Sequence, residues 1–205
     1  MTGPADKRHA PSALRNREPI LAVLRRILPQ PGTVLEIASG TGEHATYLAA
    51  QLPHITWQPS DLDGEMLASI LAWAADADAP NLNAPIVIDA AADDWSLPAD
   101  LSVDAIVNIN MIHITPFSAC EGLLAGAGRY LRTGRILYLY GPYKLGGLHT
   151  APSNAAFDRS LRAENSAWGV RDLDDIIGLA DASGLDHIEN IRMPAHNLSV
   201  IFRRR

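Results

Sequence analysis

The stretch Val34-Leu35-Glu36-Ile37-Ala38-Ser39-Gly40-Thr41-Gly42-Glu43-His44 decides how this chain reads. An apolar run ends in a carboxylate, passes through a glycine turn and opens into a helical pattern. That is the strand–turn–helix layout of a nucleotide-type cofactor site. Gly40-Thr41-Gly42-Glu43-His44-Ala45 also fits the dinucleotide fingerprint in its Gly/Ala form, and the same glycines would serve an ordinary strand-to-helix turn. Glu36 separates the two cofactor chemistries. A dinucleotide brings a pyrophosphate to the turn, where helix-end N–H groups receive it. The carboxylate would repel it, and no Lys or Arg lies between Ala38 and Gln58 to compensate. S-adenosylmethionine has no phosphate and carries an ammonium and a sulfonium, so a carboxylate at the strand end attracts it.

The rest of the chain bounds the possibilities. Its 205 residues, 47% hydrophobic and 20% charged, suit one globular domain with a substantial core. A formal charge of −6 gives no electrostatic footprint for nucleic acid, and Lys7-Arg8 and Arg203-Arg204-Arg205 read as solvated ends. Cys120 is the only cysteine, which rules out an internal disulfide and fits a reducing compartment. No run approaches the roughly 18 apolar residues that span a bilayer, and the N-terminus lacks a signal peptide's apolar core. The expectation is a cytoplasmic protein with no membrane or nucleic-acid partner; the pattern does not speak to its oligomeric state.

Residues 1–11, with glycine, two prolines and mixed charge, read as a loose arm before a single domain over 12–205. Ile20, Val23, Leu24, Ile27 and Leu28 stripe a helix with Pro19 in its first turn. Strands are expected at 33–37, 55–59, 86–88, 103–109 and 135–140, with helices between them. One of these runs from Pro116 to Leu131 with Thr115 as N-cap, and Gly141-Pro142 breaks the strand after it. Such alternation implies crossover units and a mainly parallel sheet with helices on both faces. Helices follow at 153–165, with Phe157 on the apolar stripe, and after Asp172, stopping at Gly184. The runs 187–193 and 198–202 are joined by only four residues and should pair antiparallel.

With Glu36-x-Ala38-x-Gly40-x-Gly42, Asp61, Asp89 and the closing hairpin in this order, the chain resembles a class I S-adenosylmethionine-dependent methyltransferase. The resemblance covers the chain from about residue 12 and implies a Rossmann-like seven-stranded sheet with a C-terminal antiparallel hairpin. More closely, the chain is similar to the methyltransferase-like 26 family. The passages that carry this are Asn16-Arg17-Glu18-Pro19-Ile20, Leu35–Gly42, Trp57-Gln58-Pro59-Ser60-Asp61 and Asn197-Leu198-Ser199. Ala38 departs from the superfamily's usual glycine. Alanine keeps to negative φ more strictly, so this part of the turn should be regular.

The resemblance implies roles residue by residue. Glu36, Ala38 and Gly40 would meet the methionine end of the cofactor, with Gly42 allowing close backbone approach. Asp61, 25 residues after Glu36, would hold the ribose hydroxyls with Leu62 beside it; helix cap or turn residue is the alternative for Asp61. Asp89 and Ala90 would face the adenine, against a reading of Asp89 as a turn residue. Asn110, Met111 and Ile112 would lie beneath the transferable methyl group. Asn16 and Arg17, just before the first helix, would fold over the cofactor with Arg17 reaching its carboxylate; a helix-entry residue and a solvated charge are the alternatives.

Methyl transfer asks for an in-line nucleophile, and a base only where that nucleophile must lose a proton. His113 is the first candidate base and Tyr143 the second, although packing or loop chemistry is the readier reading of each alone. His149 shares the glycine-rich connection 141–152, which reads as a cover or a plain surface loop. Asn165 and Trp168 are further candidates for the acceptor pocket, with core packing as the other reading of Trp168. No Cys–His constellation suggests a metal, and Asn110-Met111-Ile112-His113 lacks the prolines and aromatic of adenine-N6 methyltransferases. A small-molecule acceptor is therefore expected, with S-adenosylhomocysteine as co-product. A protein side chain as acceptor, an NAD(P)-dependent oxidoreductase and a non-catalytic cofactor-binding scaffold are the alternatives.

Overall fold

The structure, a computed structural model, describes residues 7–205. Seven strands form one mostly parallel sheet in the order β3-β2-β1-β4-β5-β9-β8. They are β1 (Gly32–Ile37), β2 (Ile55–Asp61), β3 (Ile86–Val87), β4 (Ala105–Ile109), β5 (Ile136–Pro142), β8 (Leu185–Met193) and β9 (Asn197–Arg204). A separate pair, β6 (Lys144–Leu145) and β7 (Leu148–His149), forms a small hairpin. Among the described residues, no helix is long and apolar enough to cross a membrane. The chain divides into two compact units: one runs to Asp89 and takes in Trp95–Asn108, the other holds Ala90–Asp94 and Ile109–Arg205.

In the first unit β1 pairs in parallel with β2 and with β4, and β2 with β3. Val34, Leu35, Ile37, Ile55, Trp57, Ile106 and Val107 are all buried, the near-continuous apolar reading of strands covered on both faces. Helix α1 (Pro11–Ile27) buries Ala13, Asn16, Ile20, Leu21, Val23 and Leu24 on one stripe. It starts eight residues earlier than the sequence suggests, so Pro19 lies inside it, and Asn16 and Arg17 are helical rather than preceding the helix. Pro11 takes the N-terminal position that proline suits. The carbonyl that Pro19 leaves without an N–H partner belongs to exposed Arg15, where water can satisfy it.

Of the expected arm, residues 1–6 lie outside the described residues, and residues 7–10 are bound rather than loose. Arg8 N donates to Ser69 Oγ (2.9 Å), Ala10 N to Glu43 Oε2 (2.5 Å), and Lys7 pairs with Asp76. Helix α2 (Glu43–Gln51) buries Ala45, Leu48 and Ala49, and α3 (Gly64–Ala75) is capped by Asp63, whose side chain accepts from Glu65 N (2.8 Å).

In the second unit β9 lies between β5 and β8 and pairs antiparallel with both, as the short connection requires. All seven residues of β5 are buried, and the strand runs on through Gly141 and Pro142 instead of breaking there. Pro142 pairs with Asn197 at the last rung, where a missing N–H costs least. Helix α4 (Phe117–Tyr130) packs Leu123, Leu124 and Ala127 inward. Its N-cap is Pro116, not Thr115, whose hydroxyl instead donates to Met111 O (2.9 Å). Helix α6 (Leu173–Ala182) is capped by Asp172, and Gly184 follows at φ 75°. Helix α5 (Pro152–Glu164) buries Asn154, Asp158 and Leu161 and leaves Phe157 38% exposed. The expected apolar stripe is displaced by a face carrying a charge.

Candidate functional site

The glycine turn between β1 and α2 is built from three residues in left-handed conformation: Ala38 (φ 55°), Gly40 (φ 57°) and Gly42 (φ 90°). The regular turn expected at Ala38 is not found. An alanine there carries the strain that a Cβ brings to this region, of order 1 kcal/mol. Gly42 is obligatory for a second reason, because a Cβ on it would lie 2.8 Å from the Ile70 Cα. At Gly40 an added Cβ would meet nothing within 4 Å, so only its φ calls for glycine.

Three of the turn's N–H groups are already engaged. Ser39 N donates to Ser60 O (2.8 Å), Gly40 N to Asp61 Oδ2 (2.9 Å) and Gly42 N to Ser39 O (3.2 Å). The first residue of α2 is itself a carboxylate, Glu43, which accepts from Ala10 N and from Thr41 Oγ1 (3.2 Å). A pyrophosphate would find these three donors already engaged and no favourable charge here.

Glu36 is 1% exposed, and its Oε2 accepts from Ser39 Oγ (2.9 Å) and Trp57 Nε1 (3.0 Å). Burial pushes its pKa up to about 7, against the two hydrogen bonds, with a smaller push from the Asp61 charge. Asp61, also buried, accepts from Gly40 N through Oδ2 and from Asp63 N (3.0 Å) through Oδ1. It bridges the glycine turn to the start of α3, and the cap of that helix is Asp63, not Asp61. Each of its oxygens retains a second lone pair for a ligand hydroxyl. Leu62 beside it is 60% exposed, an apolar side chain open to a ring face.

Asn16 Oδ1 lies 2.7 Å from His44 Nε2, which ties α1 to the first turn of α2. Burial holds His44 down to about 4, helped by Arg17 and opposed by Glu43, so it is neutral and donates to Asn16. Arg17 stacks over Tyr47 (4.4 Å to the ring centre), and its buried Nε has no partner. Asn108, in the middle of apolar β4, donates to Ile37 O (2.9 Å), and its buried Oδ1 is unpartnered. Asp89 is exposed, two residues beyond the end of β3. The first unit thus brings together Glu36, Ala38, Gly40, Gly42, Asp61 and Leu62. Sequence reasoning missed Ser39, Trp57 and Asn108; an asparagine inside the run Ala105-Ile106-Val107-Asn108-Ile109 is the one signal that could have shown the last.

In the second unit Ala90 is half-buried, and Asn110 adopts φ 66° with its N–H on Tyr140 O (2.8 Å). Met111 and Ile112 are buried in the turn Met111–His113 that follows. His113 is fully buried, its ring edge-on to Tyr143 at 5.1 Å between centres. Burial, reinforced by Arg171 and opposed by the Gly169 carbonyl and Asp158, lowers its pKa to about 3. Burial, with Cys120 and Tyr138 adding to it, raises the Tyr143 phenol well above its ordinary value.

His149 sits on β7. The connection carrying it is a tight hairpin turning on Gly146 (φ 57°) and Gly147 (φ 80°), both left-handed as a two-residue turn demands. Lys144 N donates to Arg171 O (2.9 Å) and Gly147 N to Asp172, so the segment is pinned to its neighbours. Asn165 is exposed, and its Oδ1 accepts from Ala167 N (3.0 Å) as a local turn; Trp168 is half-buried. Arg171 and Asp158, absent from the sequence-based set, organise this region. Arg171 donates to Ile112 O (2.8 Å), Thr115 O (2.6 Å) and Ala167 O (3.1 Å). Among the described residues no group of three or more His, Cys, Asp or Glu side chains could hold a metal ion.

Residues 7–204 match the model of a family described as a protein of unknown function, DUF938. Among solved structures the chain is similar to an O-methyltransferase family protein from Burkholderia thailandensis, with 15% identity and a TM-score of 0.77 over 94% of this chain and 57% of that one. Human N-acetylserotonin methyltransferase in complex with SAM aligns at 13% identity and TM-score 0.75, over 94% of this chain and 52% of that one. A chain described as a methyltransferase, in a Haloferax volcanii complex with the Trm112 methyltransferase activator, aligns at 16% identity and TM-score 0.72, over 93% and 91%. At these identities the likeness is one of fold. The chain spans little more than half the length of the first two.

Proposed function

The chain belongs to the DUF938 family, and from that premise we propose that it is an S-adenosylmethionine-dependent methyltransferase acting on a small molecule by in-line displacement. One observation carries the reading. The glycine turn is a cofactor turn whose N–H groups at Ser39, Gly40 and Gly42 are all engaged and whose surroundings are the carboxylates Glu36, Glu43 and Asp61. Such a turn suits a cationic, phosphate-free nucleoside and disfavours NAD(P). A cofactor of this kind would meet Glu36, Ala38 and Gly40 with its methionine end, lay its ribose on Asp61 and cover Leu62. Asn16, Arg17, Asp89, Ala90, Asn110 and Met111 complete the proposed cofactor set. Fold likeness to methyltransferases supports the donor, and the passages shared with the methyltransferase-like 26 family support a place beside it.

Calorimetric titration with S-adenosylhomocysteine and, separately, NAD tests this. Binding of the first and not the second is expected; tight binding of NAD alone would sink the reading. Asp61→Ala should weaken S-adenosylhomocysteine by about 1–3 kcal/mol, since it removes charged acceptors from the ribose. Unchanged affinity would refute that role. Release of S-adenosylhomocysteine across a panel of metabolites then identifies the acceptor, and binding without any turnover would favour a scaffold.

A further inference from the structure

Residues 7–10 lie against the first unit without burying a side chain in its core. Polar contacts hold them instead. Arg8 N donates to Ser69 Oγ (2.9 Å), Ala10 N to Glu43 Oε2 (2.5 Å), and the Trp73 indole N–H to Arg8 O (2.9 Å). Lys7 Nζ stands 4.7 Å from the centre of the Trp73 ring, and the His9 ring meets that ring edge-on at 5.1 Å. Exposed ion pairs join Lys7 to Asp76 and Arg8 to Glu65. Glu65, Ser69 and Trp73 follow one another at four-residue spacing along one face of α3, with Asp76 at its C-cap.

Two of these bonds are passed on to the glycine turn. Ser69 is fully buried, and its hydroxyl accepts from Arg8 N while donating to Thr41 O (2.7 Å). Glu43, also buried, takes Ala10 N on the same oxygen that accepts from Thr41 Oγ1 (3.2 Å), and His9 Nδ1 stands 3.3 Å from its other oxygen. Thr41 is therefore held at its carbonyl and at its hydroxyl by side chains whose further partners are Arg8 and Ala10. The bonds of Ser39 N to Ser60 O and of Gly40 N to Asp61 fix the turn from β2. Those of Ser69 and Glu43 fix its tip from residues 7–10.

The two halves of this clamp differ in strength. β2 belongs to the core, whereas residues 7–10 have no apolar burial and two exposed ion pairs, which contribute little each. Such a segment opens without unfolding the rest. Opening still acts on the turn, because it takes a donor from the buried Glu43 carboxylate and another from the buried Ser69 hydroxyl. A ligand that requires the bonded form of Thr41–Glu43 binds the closed state better and shifts the segment towards it.

We propose that residues 7–10 are a regulatory strap on the cofactor site: closed on Ser69 and Glu43 they hold the glycine turn ready for the cofactor, and bound cofactor holds them closed. The inference rests on the methyl-transfer reading above and adds a control of the same site. Ser69 and Trp73 are its positioning residues, the first acting through Thr41 and the second through Arg8. The coupling is reciprocal. Complete release of the strap weakens the cofactor by the same factor by which the cofactor suppresses strap opening.

Solvent-exchange NMR of the wild-type amides, with and without saturating S-adenosylhomocysteine, tests one direction. The Arg8 and Ala10 amides should exchange at least about fivefold more slowly in the complex. Calorimetry on Trp73→Phe tests the other, since phenylalanine keeps a ring for Lys7 and His9 and removes only the N–H given to Arg8 O. In that variant the two amides should exchange faster and S-adenosylhomocysteine should bind at least about threefold more weakly, with the urea unfolding midpoint little changed. A merely structural contact would move the midpoint and leave the affinity alone. Amides of Arg8 and Ala10 indifferent to bound S-adenosylhomocysteine in the wild type overturn the proposal, whatever Trp73→Phe does. So does unchanged affinity in a variant whose two amides exchange faster. If S-adenosylhomocysteine does not bind the wild type at all, the methyl-transfer reading fails and the strap's role fails with it; if it binds and the strap ignores it, only the strap's role fails.

Discussion

Glu36 makes the protein's stability depend on pH in a direction opposite to that of a salt-bridged carboxylate. Its folded pKa is about 7 against an ordinary 4.5, so between those values the native state holds a proton that the unfolded chain has lost. Stability therefore falls as pH rises from about 4.5 to about 7 and levels off above. Glu36→Gln keeps an oxygen for Ser39 and Trp57 and should flatten this component, which urea unfolding at several pH values will show. If a cofactor ammonium pairs with Glu36, binding below pH 7 must release a proton, so the calorimetric heat should change with the buffer's ionisation enthalpy. The position of Glu36 was legible from the strand and turn around it. Its burial was not, because that depends on Trp57, brought beside it by the β1–β2 register. Ala38 was misjudged for a related reason. Residue preference argues for negative φ, but the bonds from Ser39 N, Gly40 N and Gly42 N fix the turn whatever residue sits there. Ala38→Val, adding a branched side chain at φ 55°, should lower stability by roughly 2 kcal/mol in urea unfolding, since β-branched residues resist this region most.

Caps and close approaches govern the elements. Asp63 accepts from one N–H, and Asp63→Ala should cost about 1 kcal/mol. Asp172 caps α6 through Asp174 N (3.1 Å) and also takes Gly147 N from the β6–β7 hairpin. Asp172→Ala should therefore cost about twice as much and raise amide exchange in the hairpin as well as in the helix. Helix α4 passes close to backbone at Gly128, where a Cβ would lie 2.2 Å from Ser183 O. Gly128→Ala should destabilise by more than about 2 kcal/mol, although alanine is the better helix former by about 1 kcal/mol. Helices with a simple apolar stripe were read well, α6 to its cap and its Gly184 stop. Helix α5 was misread because its buried face is Asn154, Asp158 and Leu161, and a carboxylate facing inward follows no hydrophobic period. The start of α1 was set too late because Pro19 looked like a first-turn proline while Pro11 holds that place.

The division into two units passes through strand β4, between Asn108 and Ile109, and the chain crosses it again on either side of Ala90–Asp94. With three crossings and one of them inside a strand, we expect a single cooperative unfolding transition, with calorimetric and van't Hoff enthalpies equal. Two separated transitions would contradict a one-domain chain. The alternation of strands and helices made the sheet's class legible, since parallel neighbours need crossovers and the final four-residue connection forbids one. The acceptor region was less legible, because Asp158 and Arg171 meet His149 and His113 only through folding. Strand β9 has one consequence for how the protein is made. It occupies the place between β5 and β8, so β5, with all seven residues buried, has no partner on that side until Asn197 emerges. At ribosomal speed the 54 residues between Pro142 and Asn197 take about 3–10 s. For that interval the nascent chain presents an open apolar strand edge, and any helper that shields it must let go in time for the last strand to enter.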